Sequence, residues 1–350
     1  MTARIILGDC LDVMRQFPDG SAQTCVTSPP YFGLRDYGMA AQIGMEDTPE
    51  AFIARLVEVF REVRRVLRDD GTLWLNLGDS YSASPGQRKA TDKPGAKQAS
   101  SAGSIGAPSR SVDGLKPKNL IGIPWRVAFA LQADGWILRQ DIIWHKPNPM
   151  PESVTDRCTK AHEYVFLLSK GPRYYYDHAA VKEPVAASTV ARLSQNVEAQ
   201  AGSDRVPGKT NGPMKAVGGR SRADSFKRED SKRAAVIPGQ TVGTHRADRA
   251  ESTYDLDTRN KRSVWSIATR PFKDAHFAVM PPELAETCIL AGSRPGDTVL
   301  DPFMGAYTTA YAALLHGRNA IGAELNPEYM QIGERRIRPL LDQPFLLAHA

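Results

Sequence analysis

Apolar residues recur along the chain at two spacings, one typical of helices and the other of buried strands. After Thr48 and Pro49, which suit a helix cap and a first turn, apolar residues follow at intervals of 4, 3, 4 and 3, at Phe52, Leu56, Val59, Val63 and Val66. This stripe predicts an amphipathic helix that closes at Asp70 and Gly71. Further helices are predicted to begin at Cys10, at Ile123, at His276, after Gly305 and at Asn326.

Short apolar runs between these helices predict buried strands. They lie at residues 4–9, 24–26, 72–77, 136–144, 162–168, 298–301 and 320–324. Strands that alternate with helices indicate an α/β fold, a doubly wound, Rossmann-like sheet with helices on both faces. In such a sheet ligands bind beyond the carboxyl ends of the strands, where this chain places small and acidic residues.

Positive charge is concentrated in two polar segments. Residues 82–118 carry seven Lys and Arg against two Asp and Glu, and residues 182–262 carry 16 against 10. Because the net charge is +6, the remainder of the chain is net negative. Two basic segments outside the core favour a polyanionic partner. The alternative is that both are solvated linkers whose charge only confers solubility.

Cysteine spacing and hydropathy narrow the class of protein. Cys10, Cys25, Cys158 and Cys288 are scattered and form no Cys-x-x-Cys pair, so neither a zinc site nor a disulfide framework is indicated. The N-terminus does not resemble a signal peptide, and no apolar run approaches the roughly 18 residues of a membrane helix. We therefore expect a reduced cytoplasmic setting, with no membrane partner.

The strongest candidate chemistry follows the strand at residues 24–26. Two consecutive prolines remove two backbone donors, so this turn offers acceptors next to a hydroxyl and an aromatic ring. Its residues are Ser28, Pro29, Pro30 and Tyr31. A rigid turn with two acceptors and a stacking face suits an amino group on a planar heterocycle. The alternative is a Pro-rich turn that buries one tyrosine.

A second turn near the C-terminus favours the functional interpretation. Residues 298–309 read Thr-Val-Leu-Asp-Pro-Phe-Met-Gly-Ala-Tyr-Thr-Thr, a strand, a turn and a helix start, and the next strand ends in Glu324. Together with the Ser-Pro-Pro-Tyr turn, this resembles the DNA amino-methyltransferases that use S-adenosylmethionine. The order of the two turns is that of the β class. The resemblance covers both ends of the chain and most of the middle.

The resemblance implies an architecture and a partner. The sheet is the seven-stranded methyltransferase version, permuted so that the cofactor strand comes late. Residues 1–181 form the catalytic half, with a flexible basic loop at 82–118. Residues 182–262 form a partly disordered target-recognition region, and residues 263–350 form the cofactor half. The partner is double-stranded DNA, and a homodimer is left open.

The resemblance also implies site residues. Ser28 Oγ and the Pro29 carbonyl accept from the amino group of a flipped base, on which Tyr31 stacks. Residues 78–81, Trp144 and Lys146 form walls of the base pocket. The implied cofactor residues are Asp9, Asp301, Phe303, Gly305, Thr308, Glu324 and His276. For three of the acids a structural role is the alternative, as a helix cap for Asp9 and Asp301 and as a surface residue for Glu324.

Two features bear on which reaction is catalysed. In the family, Ser at the first catalytic position is found more often with cytosine, and Asp or Asn with adenine. This favours N(4)-cytosine over N(6)-adenine as the target. The chain has no Pro-Cys dipeptide, which argues against the covalent carbon-5 route.

One residue departs from the family pattern. The cofactor turn of the family reads Phe-x-Gly-x-Gly, and Tyr307 replaces its second glycine. Glycine there allows close approach to the ligand and backbone angles that tyrosine resists. A ring at this position could also occupy the space of the cofactor. A DNA-binding protein with impaired catalysis is therefore the rival hypothesis.

Overall fold

The computed structural model describes residues 1–36, 38–39, 42–82, 105–106, 112–186, 188, 257–272 and 279–342. Within these ranges the helices are α1 (Cys10–Met14), α2 (Pro49–Val66), α3 (Ile123–Ala133), α4 (Pro282–Gly292), α5 (Thr308–Leu315) and α6 (Pro327–Asp342). The strands are β1 (Ala3–Leu7), β2 (Ala22–Thr27), β3 (Arg35–Asp36), β4 (Leu67–Leu77), β5 (Ile105–Gly106), β6 (Ile137–His145), β7 (His162–Ser169), β8 (Glu183–Pro184), β9 (Thr258–Arg259), β10 (Val264–Ser266), β11 (Thr298–Asp301) and β12 (Asn319–Glu324).

A large, mostly parallel sheet organises the described residues. Its strand order is β1-β12-β11-β2-β4-β7-β6-β10. All neighbours pair in parallel except that β7 runs antiparallel to both β4 and β6. The predicted α/β sheet is confirmed, but it has eight strands rather than seven. The difference is β10, a three-residue edge strand that pairs with the end of β6.

Helix α2 shows how local sequence and burial together set the elements. The Thr48 hydroxyl accepts from the Ala51 N–H at 3.1 Å, and Pro49 occupies the first turn, as predicted. The apolar stripe of α2 is fully buried. The predicted end at Asp70 and Gly71 is wrong, because Leu67 is already extended and pairs with Ala22 in the sheet. The chain thus passes directly from α2 into β4, so the buried strand begins five residues before Thr72.

Two hydrophobic clusters cover the two faces of the sheet. One joins the sheet to α1, α2 and α3, and the other joins it to α4, α5 and α6. Strand β2 connects to β4 through α2, whereas β11 connects to β12 through α5. The boundary between β2 and β11 is therefore a topological switch point, where such sheets open a crevice beyond their carboxyl ends.

The chain divides into two compact units, one of residues Met1–Val181 with Arg262–Ala350 and one of residues Lys182–Lys261. In the second unit β8 and β9 pair antiparallel, and Arg259 Nε contacts Glu183 Oε1 at 2.9 Å. Most of the predicted recognition region and much of the predicted 82–118 loop lie outside the described residues, so both roles stay predictions. No helix in the described ranges is long and apolar enough to cross a membrane.

Candidate active site

A cleft of about 410 Å³ opens at the carboxyl edge of the sheet. Residues that follow β1, β2, β11 and β12 line it, because parallel neighbours end at the same edge. All four predicted catalytic residues and six of the seven predicted cofactor residues contribute to its wall. They are Asp9, Ser28, Pro29, Pro30, Tyr31, Asp301, Phe303, Gly305, Thr308 and Glu324.

The catalytic turn begins where β2 ends. The Ser28 hydroxyl donates to the Tyr31 phenol oxygen at 3.5 Å, so one side chain of the turn orients another. The Tyr31 ring lies directly against Gly78, where a β-carbon would come within 2.5 Å of the ring. Any side chain at position 78 would displace Tyr31, which gives the predicted pocket wall at 78–81 a specific steric requirement.

Asp301 joins the cofactor turn to the catalytic strand. Its carboxylate accepts from the Thr27 hydroxyl at 2.6 Å, the Thr309 hydroxyl at 2.7 Å and the Phe303 N–H at 3.0 Å. Only 3% of Asp301 is exposed, and burial raises its pKa to about 6 against the opposing effect of these three donors. The residue therefore fixes the relative position of the two turns as well as facing the cleft.

Glu324 and Asp9 lie side by side, as the predicted topology requires, since the Gly8 N–H donates to the Glu324 carbonyl at 2.9 Å. The Glu324 carboxylate accepts from the N–H groups of Gly305 at 2.6 Å and Asn326 at 2.8 Å, one on each oxygen. Burial raises the pKa of this carboxyl. Asp9 accepts from the Leu11 N–H at 2.8 Å and caps α1, so the capping alternative and a place at the cleft hold together.

Comparisons with known proteins identify the family. A profile of the N6_N4_Mtase family, described as DNA methylase, matches residues 22–335. The chain belongs to this DNA methylase family. The type II methyltransferase M.SmaI of Serratia marcescens is 42% identical over 336 residues, 96% of this chain and 91% of M.SmaI. M.Cfr9I of Citrobacter freundii is 41% identical over 336 residues, 96% of this chain and 88% of M.Cfr9I.

A solved structure shares the fold of this methylase. The cytosine-N4-specific PvuII DNA methyltransferase superposes with a TM-score of 0.57 at 16% identity, covering 98% of this chain and 92% of that one. Family membership confirms the predicted family and S-adenosylmethionine as the predicted cofactor. The roles of the individual site residues stay predictions.

Two polar residues of the methylase cleft were missed by sequence reasoning, Glu163 and Asn76. The Tyr31 phenol donates to Glu163 Oε2 at 2.7 Å and lies 3.2 Å from Asn76 Oδ1. Lys146, predicted only as a pocket wall, donates to the other Glu163 oxygen and lies 4.3 Å from the centre of the Trp144 ring. The sequence offered one signal for Glu163, which is an acid at the start of a predicted apolar strand.

Glu163 reaches the cleft because of strand direction. Strand β7 is antiparallel to its neighbours, so its amino end lies at the edge where the other strands have their carboxyl ends. The register places Glu163 opposite Trp144, next to Lys146. Glu163, at the beginning of β7, therefore lies beside residues that follow the carboxyl ends of the other strands. Sequence periodicity does not show which strand is antiparallel, so it does not reveal this contact.

Tyr307 adopts the strained backbone that the sequence predicts but points away from the cleft. Its φ of 60° and ψ of 33° are left-handed, and its side chain is 1% exposed in the core between α5 and α6. The ring lies against Gly333, where a β-carbon would be 2.2 Å from ring atoms. The expectation that this ring could fill the cofactor space is therefore wrong, whereas Ala306 and Thr308 on either side line the cleft.

Of the two remaining predicted cofactor residues, Thr308 and His276, the structure describes only Thr308. The Thr308 hydroxyl accepts from Arg336 Nη1 at 2.9 Å, and the same nitrogen donates to the Ala306 carbonyl, so α6 braces the cofactor turn. His276 lies outside the described residues. Met280, a few positions later, contributes to the cleft.

Proposed function

We propose that this methylase transfers a methyl group to the N(4) amino group of a cytosine flipped out of double-stranded DNA. The observation that carries the proposal is the position of Ser28. Its hydroxyl lies on the turn that follows β2, next to the Asp301 turn, and both turns line the same cleft. A target amine at Ser28 would thus adjoin a methyl donor held at the Asp301 turn.

The catalytic turn is suited to make the target amine more nucleophilic. An exocyclic amino group is a weak nucleophile because its lone pair is delocalised into the ring. Ser28 Oγ and the Pro29 carbonyl accept its two N–H bonds and turn the lone pair out of the ring plane. The nitrogen then forms its bond to the methyl carbon while the carbon–sulfur bond breaks towards sulfur. Preorganised acceptors and fixed geometry supply most of the acceleration.

The cleft has the donor and acceptor chemistry for an adenosyl cofactor. S-Adenosylmethionine, when bound, supplies the electrophilic methyl group. Asp301 would accept from the methionine amino group, Glu324 from the ribose hydroxyls, and Asp9 would lie at the adenine region. Glu324 fits this role because a carboxylate has about four acceptor positions, so the backbone N–H groups of Gly305 and Asn326 leave capacity for a hydroxyl.

Cytosine is the favoured target because Ser28 stands at the first catalytic position, where members of the family that methylate adenine more often carry Asp or Asn. The N(6) position of adenine is the alternative target. To decide, the protein is incubated with unmodified DNA and S-adenosylmethionine, and the DNA is digested to nucleosides for mass spectrometry. N(4)-methylcytosine is expected. Methyladenine alone would reverse the base assignment, and the absence of any methylated base would overturn the function. DNA incubated without protein is the control.

The buried carboxyl of Asp301 predicts a pH-dependent affinity for the cofactor. Because its pKa is raised to about 6, Asp301 gains a proton as the pH falls from 7 to 5 and loses the charge that attracts the methionine amino group. We expect S-adenosylmethionine to bind about tenfold more weakly at pH 5 than at pH 7, as measured by calorimetry.

5′-Methylthioadenosine, which has the ribose and adenine but lacks the amino and carboxyl groups of methionine, is the matched control ligand. Its affinity should not change over the same interval. Equal weakening of both ligands would assign the effect to Glu324 or to general acid damage. No weakening of either would show that Asp301 does not contact the amino group.

A further inference from the structure

A row of polar side chains leads from the catalytic turn into the sheet. The Ser28 hydroxyl is 3.5 Å from the Tyr31 phenol oxygen, which is 2.7 Å from Glu163 Oε2. Lys146 Nζ contacts the other oxygen of Glu163. Glu163 and Lys146 have side chains that are 15% and 19% exposed, so this ion pair lies largely out of water.

The hydrogen bonds of this row point in one direction. Ser28 donates to Tyr31, and the Tyr31 phenol donates to Glu163 Oε2 at 2.7 Å, a shorter distance than the 3.2 Å to Asn76 Oδ1. The Asn76 amide nitrogen donates to Glu163 Oε2 at 3.2 Å and to the Tyr164 carbonyl at 3.1 Å. Since Ser28 gives its proton inwards, the lone pairs of its oxygen remain for a donor in the cleft.

Stability alone does not explain such an arrangement. A buried ion pair loses so much hydration that well-packed apolar residues are often as stabilising. Here the carboxylate is also tied to Tyr31, a residue of the catalytic turn, and one side of the Tyr31 ring lies directly against Gly78. The Lys146–Glu163 pair lies at the inner end of the row of hydrogen bonds that begins at Ser28. This position suits a group that receives a proton along the row.

We propose that Glu163 receives the proton that the target amine loses on methylation, through Tyr31 and Ser28. The inference rests on the proposed function and deepens it. As nitrogen bonds to the methyl carbon it becomes positively charged and must lose one N–H proton. That proton passes to Ser28 Oγ, the Ser28 proton to the Tyr31 oxygen and the Tyr31 proton to Glu163 Oε2. Each oxygen gains one proton and gives one up, and Glu163 ends neutral.

Lys146 and Asn76 act as positioning residues in this scheme. The ammonium of Lys146 balances the carboxylate before the transfer, and the Asn76 amide keeps the accepting oxygen aimed at Tyr31. Glu163 itself acts through Tyr31 and does not touch the base. The scheme therefore predicts an effect on the rate of methyl transfer and none on binding.

The test compares Glu163→Gln, Tyr31→Phe and the double variant under single-turnover conditions. The substrate is an unmethylated duplex that contains the site the parent protein methylates. Glutamine keeps the shape of Glu163 but accepts no proton, and phenylalanine keeps the ring but breaks the row. Each change should lower the rate of methyl transfer about 10²-fold. The affinities for duplex and cofactor should stay within about threefold of the parent. The double variant should be no more than about threefold slower than the slower single variant, because both changes interrupt one path.

Glu62→Gln is the matched control. Glu62 is a 25% exposed glutamate paired with Arg65 on α2, away from the cleft, and its loss should leave the rate unchanged. A Glu163→Gln rate near that of the parent would overturn the proposal, as would losses that multiply in the double variant or that follow weakened binding. If Glu163→Gln does not fold, Tyr31→Phe decides alone, and an unchanged rate there has the same meaning. A parent that methylates no amine would instead refute the proposed function.

Discussion

Ser28→Ala should lower the rate of methyl transfer by about 10²- to 10³-fold while changing the free energy of unfolding little. The variant loses the acceptor that turns the amine lone pair out of conjugation, and removing one preorganised polar partner from a reacting group typically costs this much. Ser28 is only partly buried, and its hydrogen bond to Tyr31 is long, at 3.5 Å, so the fold loses little. Single-turnover rates and chemical denaturation measure the two quantities.

Ser21→Ala is the matched control for this prediction. Ser21 directly precedes β2, whereas Ser28 directly follows it, and the Ser21 hydroxyl donates to the Pro18 carbonyl at 2.7 Å. Its loss should leave methyl transfer unchanged. If Ser28→Ala lost rate and stability together, the Ser-Pro-Pro-Tyr turn would be structural, and the proposed acceptor would have to lie elsewhere.

Where the sequence predicts an element well, burial and local chemistry agree. The stripe of α2, its Thr48 cap and its proline all act within a few residues, so periodicity is enough to place the helix. The end of the helix was missed because it depends on a partner 45 residues away, where Leu67 pairs with Ala22. A strand position is decided by its neighbours in the sheet, which local signals do not contain.

The same contrast holds within the site. The Ser-Pro-Pro-Tyr and Asp-Pro-Phe turns have short motifs whose residue types already indicate acceptors and close backbone approach. Glu163 has no such motif, and it reaches Tyr31 only because one antiparallel strand brings its amino end to the common edge. Sequence alone thus predicted the two turns that line the cleft, and missed Glu163 and Asn76, which contact the catalytic turn through Tyr31.

For Tyr307 the sequence predicts the backbone conformation but not the direction of the ring. The motif shows that tyrosine stands where the family has glycine, and this correctly predicts a strained, left-handed backbone. The direction of the ring depends on Gly333, which lies on a different helix 26 residues later and offers the space of a missing side chain. A cofactor turn without its second glycine therefore remains open, and the rival hypothesis of a blocked cofactor site loses its steric basis.

Gly333→Ala should destabilise the parent by about 3 kcal/mol, although alanine normally favours a helix by about 1 kcal/mol over glycine. The new β-carbon would lie 2.2 Å from the Tyr307 ring, which is fully buried and cannot move aside into solvent. Tyr307→Gly should itself cost about 2 kcal/mol, since the loss of a buried ring exceeds the backbone strain that is relieved. Urea denaturation measures both values.

In the Tyr307→Gly background the sign of Gly333→Ala should reverse. With the ring gone, the β-carbon enters the vacated space and only the helix preference of about 1 kcal/mol remains, so the two positions are coupled by about 4 kcal/mol. Tyr307→Phe is the matched control: it keeps the ring and removes a buried hydroxyl that has no hydrogen-bond partner among the described residues, so it should be at least as stable as the parent. Affinity for S-adenosylmethionine should stay within about threefold in Tyr307→Gly. A tenfold gain in that affinity, or equal costs of Gly333→Ala in both backgrounds, would mean that the ring reaches the cleft after all.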